Sequence, residues 1–163
     1  MDKPLRRILF LGLVAGTAAT AAQLLLWWGT SVSLPEVLYR DTRLTAAMLM
    51  SREVINLEHL FRPPDWTMWL IATVIHFGLS VMYAAIFSVI AARLRIRDFW
   101  LPPAGLGFGL ALYLINMYGF TFVMPWFALV RDGITIAAHA VFGLCLGLTV
   151  WANTRPNAPL LPI

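Results

Sequence analysis

Four long apolar blocks, separated by polar segments, dominate the hydrophobic pattern of this chain. They cover about residues 8–28, 66–92, 101–120 and 134–151. Each block has close to the roughly 20 residues that an α-helix needs to cross a hydrocarbon layer about 30 Å thick. Their apolar residues run on almost continuously instead of recurring every three or four positions, which is typical of membrane spans. The pattern predicts an all-α, polytopic membrane four-helix bundle in a single domain.

The long segment between the first two blocks predicts helical structure at the membrane surface. In about residues 35–62 apolar and charged residues alternate in clusters, and the longest uncharged run, LTAAMLMS, is too short to span. Pro35 and Glu36 suit the first turn of a helix. Ser51 could cap a second helix that ends before Pro63. The alternative is an ordered loop packed on the bundle.

The charges of the chain predict which way the bundle faces. Seven Lys or Arg and two Asp lie on the side that carries both chain ends, whereas five Arg and six acidic residues lie on the other side. By the positive-inside rule both termini are then cytoplasmic, and residues 35–62 lie on the outer surface. The polar segments have no basic stripe with interleaved aromatic residues, so the lipid bilayer, and not nucleic acid, is the predicted partner.

The overall composition supports this class of protein. The chain is 60% hydrophobic and 12% charged, which is far more apolar than a soluble domain. Cys145 is the single cysteine, so neither a disulfide nor a CxxC metal site can form within the chain. The Pro-rich tail, residues 152–163, is predicted to be extended.

Glycines spaced four residues apart occur in three of the spans. This spacing places small residues on one helix face and lets two backbones approach closely, so we interpret these glycines as helix-packing positions. The pairs are Gly12 and Gly16, Gly105 and Gly109, and Gly143 and Gly147.

Polar residues inside the spans are the best candidates for a site. His76, Asn116 and His139 come from three different spans and are expected at similar depth, with Tyr113 nearby. Polar groups that face lipid lack partners, so these side chains should point into the bundle or into a subunit interface. The histidines could ligate haem b or relay protons with Asn116, Tyr113 and Tyr118. They could also bind copper together with Met68, Met117, Met124 or His59. They could equally form only interhelical hydrogen bonds, with Asn116 as one partner. We predict no resident cofactor or metal, and keep haem b and copper as alternatives.

Two polar pairs outside the spans are weaker candidates. Asp41 with Arg43, and Arg131 with Asp132, could each form a site, but a solvated ion pair explains them as well. The sequence has no HExxH, GxSxG or Walker motif and no pair of intramembrane aspartates. We therefore predict no catalytic residue.

Three segments of the chain carry a resemblance to known proteins. RDTRLTAAMLM, NMYGFTFVMPWF and RDGITIAAHAVFG, together with a His in the second span, resemble small bacterial four-span proteins that have no assigned activity. In general layout the chain is similar, more distantly, to the YagU-like inner-membrane proteins. The resemblance implies a bacterial inner (cytoplasmic) membrane. Some members of such groups carry a sodium:proline symporter label, which a four-span chain without broken-helix pairs does not support.

Small size, the missing catalytic motifs and the small-residue faces favour one function. We expect a non-catalytic accessory or interaction subunit of a larger inner-membrane assembly, with other membrane subunits or further copies of itself as partners. A small homo-oligomeric transporter or channel is the first alternative, and a haem- or quinone-linked electron-transfer subunit is the second.

Overall fold

The computed structural model describes residues 3–30, 33–50, 52–56 and 58–154, and within those ranges it contains helices and turns but no strand. Four of the described helices are long and apolar enough to cross a membrane, so the chain is an all-α, multi-pass membrane protein. The five α-helices of the described part are α1, Lys3–Trp28; α2, Leu34–Ala46; α3, Trp66–Arg93; α4, Leu101–Leu114; and α5, Gly133–Thr154.

Short helical elements connect the α-helices and extend one of them. They are the 3-10 helices Arg52–Ile55, Asp98–Trp100, Phe120–Phe122 and Pro125–Val130, and the π-helical turn Ile115–Gly119. Because the elements from Asp98 onward join end to end with α4, the third span runs continuously from Asp98 to Phe122.

Local sequence signals mark where three of the helices begin: a proline for α2 and a capping aspartate for each of α3 and α5. Pro35 lies in the first turn of α2, where its missing N–H costs nothing. The Asp65 carboxylate caps α3 by accepting the Met68 N–H at 2.8 Å. Asp132 caps α5 in the same way, accepting the Thr135 N–H at 2.7 Å. Each cap satisfies a backbone donor that the helix itself cannot.

The four spans form an open bundle instead of a closed square. α1 packs against α3 on one side and against α5 on the other, and α4 packs along α5. α3 makes only slight contact with α4 and α5, so a gap remains between α3 and α4. We call the end that carries α2 the loop end, and the opposite end, where α1 begins and α3 turns into α4, the arginine end.

Two apolar cores occupy the two ends of the bundle. At the arginine end Leu11, Phe87 and Leu146 are at most 1% exposed and form the centre of the larger core. At the loop end a smaller core packs α2 onto the end of the third span around Leu44 and Tyr113. The indole N–H of Trp126 donates to the Leu44 carbonyl at 3.0 Å and so ties the segment after the third span to α2.

The structure corrects three details of the predicted elements. α1 begins at Lys3 instead of residue 8, because Lys and Arg form helices readily although they lower the hydropathy of a window. α5 continues to Thr154, so residues 152–154 of the expected tail are helical, and residues 155–163 lie outside the described part. The prediction of a second loop α-helix is wrong for the described residues: they contain only a four-residue 3-10 helix, Arg52–Ile55, after which the Asn56 side chain accepts the Glu58 N–H at 2.9 Å. Such a local bond competes with helix formation. Ser51 lies outside the described residues.

Candidate functional site

A cavity of about 290 Å³ lies in the loop-end half of the bundle, and we call it the central cavity. α1, α3, α4 and α5 form its walls, and the end of α2 covers it. Met82 and Phe120 line it and are 44% and 47% exposed, beside the gap where α3 makes only slight contact with α4. Its mouth therefore opens between α3 and the end of the third span, toward the lipid.

Three helices contribute to a chain of hydrogen bonds along the wall of this cavity. The Tyr83 hydroxyl on α3 donates to Asn116 Oδ1 at 2.8 Å. Asn116 Nδ2 lies 3.3 Å from His139 Nε2, and His139 Nδ1 lies 2.8 Å from the Thr135 carbonyl oxygen. Only a neutral imidazole with its proton on Nδ1 can donate to Thr135 and accept from Asn116. The geometry thus indicates a neutral His139, and every hydrogen bond from Tyr83 to Thr135 then has one donor and one acceptor.

His76 bonds to α1, on another wall of the same cavity. Its Nε2 lies 3.2 Å from Thr20 Oγ1, which itself donates to the Gly16 carbonyl at 3.1 Å. Since the Thr20 hydrogen is used in that second bond, His76 Nε2 is the donor to Thr20. His76, Asn116 and His139 therefore all line one cavity, and each bonds across a helix pair.

The π-helical turn at Ile115–Gly119 positions Asn116. A π turn contains one residue more per hydrogen-bonded ring than an α-helix, and such turns occur frequently at functional sites. Here it lies where the third span meets the cavity, with Met117 buried and Asn116 half-buried against α3 and α5. The local widening thus presents one amide to two neighbouring helices.

A second cavity, of about 430 Å³, adjoins the first between α1, α2 and α3, and we call it the side cavity. The two share Thr20, Gln23, Thr45 and His76 in their linings. Asp41 lines the side cavity, where its carboxylate accepts Arg40 Nε at 2.8 Å and Gln23 Nε2 at 3.2 Å. Burial raises the pKa of the Asp41 carboxyl above its ordinary value, and the Arg40 guanidinium offsets part of this effect.

Neither predicted polar pair outside the spans forms an ion pair in the described part of the chain. Asp41 pairs with Arg40 instead of Arg43. Arg43 is buried and donates to the carbonyls of Arg62 and Pro63, at 3.3 and 3.2 Å, which holds the loop against α2. These carbonyls come close to Arg43 only because the loop folds back onto α2. The spacing of residues in the sequence therefore does not predict the two hydrogen bonds.

Arg131 and Asp132 act separately on the helices beside them. The Arg131 guanidinium donates to the Met117 carbonyl at 2.6 Å and stacks over the Tyr118 ring, 4.3 Å from its centroid. Asp132 caps α5 through Thr135. Arg131 therefore ties the segment before α5 to a backbone carbonyl of the π turn.

Tyr113 lies beside this cluster but is not in the lining of the central cavity. It is 6% exposed, and its ring packs edge-on against His139 with centroids 5.7 Å apart. It belongs to the loop-end core with Leu44 and Met117. Its place is thus behind His139, where it restricts the orientation of the imidazole.

The six glycines predicted from spacing lie at two helix–helix contacts. A Cβ on Gly12 would lie 2.5 Å from Val81 Cα, and one on Gly16 would lie 2.7 Å from Ser80 Oγ, so both glycines face α3. The other four face each other across α4 and α5, where added Cβ atoms would meet backbone atoms of the opposite helix: Gly105, Gly109, Gly143 and Gly147. At Gly16 the nearest atoms belong to the Ser80 and His76 side chains, whereas at the other five glycines they include backbone atoms, which only a residue without a side chain can approach so closely.

The side chains considered for haem or copper are partly brought together. Met117 and Met124 line the central cavity with the two histidines, as do Met48 and Met82. Met68 lies elsewhere, with its sulfur 3.5 Å from an Arg43 nitrogen. A metal bound at Nε2 of either histidine would displace the present bond to Thr20 or Asn116.

Tyr83, Thr20 and Gln23 belong to the site but were not predicted. Tyr and Thr are common in membrane helices, where Thr usually bonds to its own backbone, as Thr20 also does here. Gln23 had a signal, because an amide inside an apolar span needs a partner. The partner of Tyr83 depends on the rotation of α3, which its uniformly apolar sequence does not indicate.

The fold and site together define a helical multi-pass membrane protein with a partly polar cavity in one half of its bundle. No protein-family model, no curated protein and no solved structure matches this chain.

Proposed function

We propose that this protein is a non-catalytic subunit of a bacterial inner-membrane assembly and acts by contacting other membrane proteins. Its polar cavity groups support this role, because Tyr83, Asn116 and His139 bond to one another and to the backbone. Groups so engaged hold three helices in register, and catalysis would require breaking those bonds.

The observation that carries the proposal is an open face of small residues on α4. Pro103, Gly107 and Ala111 are spaced four residues apart and are all exposed. They lie on the side of α4 opposite to Gly105 and Gly109, which pack on α5. A Cβ on Gly107 would meet nothing within 4 Å in the described part of the chain. This face would let a helix of another subunit approach as closely as α5 does on the other side.

A transporter working through a single copy of the chain is less well supported. The central cavity occupies only the loop-end half of the bundle. In the other half Leu11, Phe87 and Leu146 are packed with at most 1% exposure, which blocks a polar path. The homo-oligomeric alternative would need a pathway between copies.

The location and orientation in this proposal rest on charge and on resemblance. Arg6, Arg7, Arg93, Arg95 and Arg97 are exposed at the arginine end, where positive charge favours the cytoplasm. The resemblance to small bacterial four-span proteins supports the inner membrane.

Site-specific crosslinking from the α4 face tests the proposal. A photoreactive residue is placed at position 107 in living cells, and the adducts are identified by mass spectrometry. We expect a discrete adduct with a different membrane protein. An adduct only with a second copy would favour the homo-oligomeric alternative. Adducts only with lipid would contradict both the subunit proposal and the homo-oligomeric alternative.

Substitution by leucine provides the matched comparison. Gly107→Leu should leave folding intact, because the site is open, but should abolish recovery of the partner. Gly78→Leu on α3 is the control, since a Cβ there also meets nothing within 4 Å in the described chain. Equal partner recovery by the two variants would contradict a contact at the α4 face.

A further inference from the structure

The central cavity selects for uncharged molecules. Among the described residues that line it there is no Asp, Glu, Lys or Arg, and the hydrogen bonds of His139 fit a neutral imidazole. Asp41 lines only the side cavity. Moving an ion into such a site without a counter-charge is costly, so phosphate, carboxylate and ammonium head groups do not fit. A bound molecule should be neutral.

Two amide groups offer hydrogen-bond donors to such a molecule from different walls. Asn116 Nδ2 on the third span uses one hydrogen on His139, and Gln23 Nε2 on α1 uses one on Asp41. An amide NH₂ has two hydrogens. In the described part of the chain no further acceptor meets the second hydrogen of either amide. A ligand with a carbonyl oxygen at each end would satisfy both donors.

The remaining wall suits a flat ring. The aromatic rings of Tyr83, Phe120 and Phe142 line the cavity together with four methionines, Met48, Met82, Met117 and Met124. Aromatic rings pack favourably on other rings and on thioether sulfur. A volume of about 290 Å³ lies just below the roughly 300–1,000 Å³ usual for ligand sites. One substituted ring fits this description better than a haem or a whole lipid.

The mouth of the cavity provides access from the bilayer. It lies between Met82 and Phe120, at the gap where α3 and the third span make slight contact. An alkyl chain attached to a ring in the cavity can leave through this gap into lipid.

We propose that the central cavity binds a lipid-soluble para-quinone. The ring lies in the cavity with its two carbonyl oxygens toward Asn116 and Gln23, and the alkyl chain passes Met82 into the bilayer. This site is independent of any protein partner, so its test does not depend on the subunit role.

Calorimetric titration of the full-length protein in detergent tests the ligand class. Three probes share a ten-carbon chain: decyl-para-benzoquinone, decylbenzene and decanoate. We expect saturable binding of the quinone and at least about tenfold weaker binding of the other two, because they lack paired neutral acceptors. Equal affinity for decylbenzene would show that the carbonyls are irrelevant, and equal affinity for decanoate would show an anion site. Either result, or no quinone binding at all, would overturn the proposal.

A matched pair of variants on α3 tests the place of binding. Met82→Trp narrows the mouth, whereas Ile86→Trp lies one turn further along the same exposed face and outside the cavity lining. The two side chains are similarly exposed, 44% and 41%, so both variants should fold. We expect at least about tenfold weaker quinone binding for Met82→Trp and wild-type binding for Ile86→Trp. Equal affinities would place the ligand elsewhere.

Two further variants test the donors. Asn116→Leu and Gln23→Leu each remove one amide, and each should weaken quinone binding about tenfold. Size-exclusion chromatography shows whether these variants remain folded. Folded variants with unchanged quinone affinity would overturn the proposed contacts. If the two amide variants do not fold, the comparison of Met82→Trp with Ile86→Trp decides the outcome.

Discussion

Replacing Gly109 with alanine tests how closely α4 and α5 must approach. A Cβ on Gly109 would meet the His139 carbonyl oxygen and would lie 3.0 Å from both Cα and N of Gly143. All of these are backbone atoms, so no side chain can rotate away and the two helices must separate. Gly107 is the matched control, because its Cβ would meet nothing within 4 Å in the described chain.

The expected magnitude follows from comparing the two variants. Overpacking of this kind costs about 1–3 kcal/mol. Exchanging Gly for Ala inside a helix contributes up to about 1 kcal/mol of stability through helix propensity, and this gain is common to both variants. We therefore expect the free energy of unfolding of Gly109→Ala to be about 1–3 kcal/mol lower than that of Gly107→Ala. Helix separation also stretches the 3.3 Å contact between Asn116 and His139, whose loss adds about 0.6 kcal/mol.

Equilibrium unfolding in mixed micelles, with a rising fraction of denaturing detergent, measures both free energies. The difference between the two variants is the relevant quantity, because the micelle affects both equally. A difference below about 0.5 kcal/mol, the usual range of surface substitutions, would refute the argument that backbone contact holds α4 to α5.

Three further predictions concern the polar groups and the orientation. Tyr83→Phe removes the hydroxyl that bonds to Asn116 and should lower the free energy of unfolding by about 0.6 kcal/mol; unchanged stability would mean that this bond contributes nothing. The pKa of Asp41 is raised by burial in spite of Arg40, so the folded chain holds this proton more tightly than the unfolded chain. Its contribution to stability should therefore be lost as the pH rises from the ordinary pKa of 3.8 through the raised value, and Asp41→Asn should lack this part of the slope; parallel unfolding profiles for the two proteins would contradict the shift. A reporter fused after Ile163 should be active only in the cytoplasm, and periplasmic activity would reverse the orientation.

The spans could be predicted from sequence because hydropathy needs no knowledge of tertiary partners. His76, Asn116 and His139 were conspicuous for the same reason, since each is a polar group in an apolar background. Their partners were not predictable. Tyr83 and Thr20 are ordinary residues of membrane helices, and only the rotation of each helix about its axis determines which side chains meet.

Two local features lay beyond sequence reasoning for different reasons. The π turn at Ile115–Gly119 has no residue signature here, and tertiary packing determines whether this segment is wound as α or π. Asp41 and Arg43 are two apart on one helix and so do not face each other. Arg43 turns instead to the carbonyls of Arg62 and Pro63, which come from residues about 20 positions later in the chain.

The contact between α1 and α5 has a consequence for the assembly of the protein in the cell. α1 is synthesised well before α5: their C-terminal ends are about 125 residues apart, so a ribosome working at about 5–20 residues per second needs roughly 6–25 s between them. During that interval α1 can pair with α3, and Tyr83 can meet Asn116, but His139 has not yet emerged. A nascent chain that stalls before α5 therefore leaves the Asn116 amide without His139, and leaves α1 without the helix that covers one of its sides.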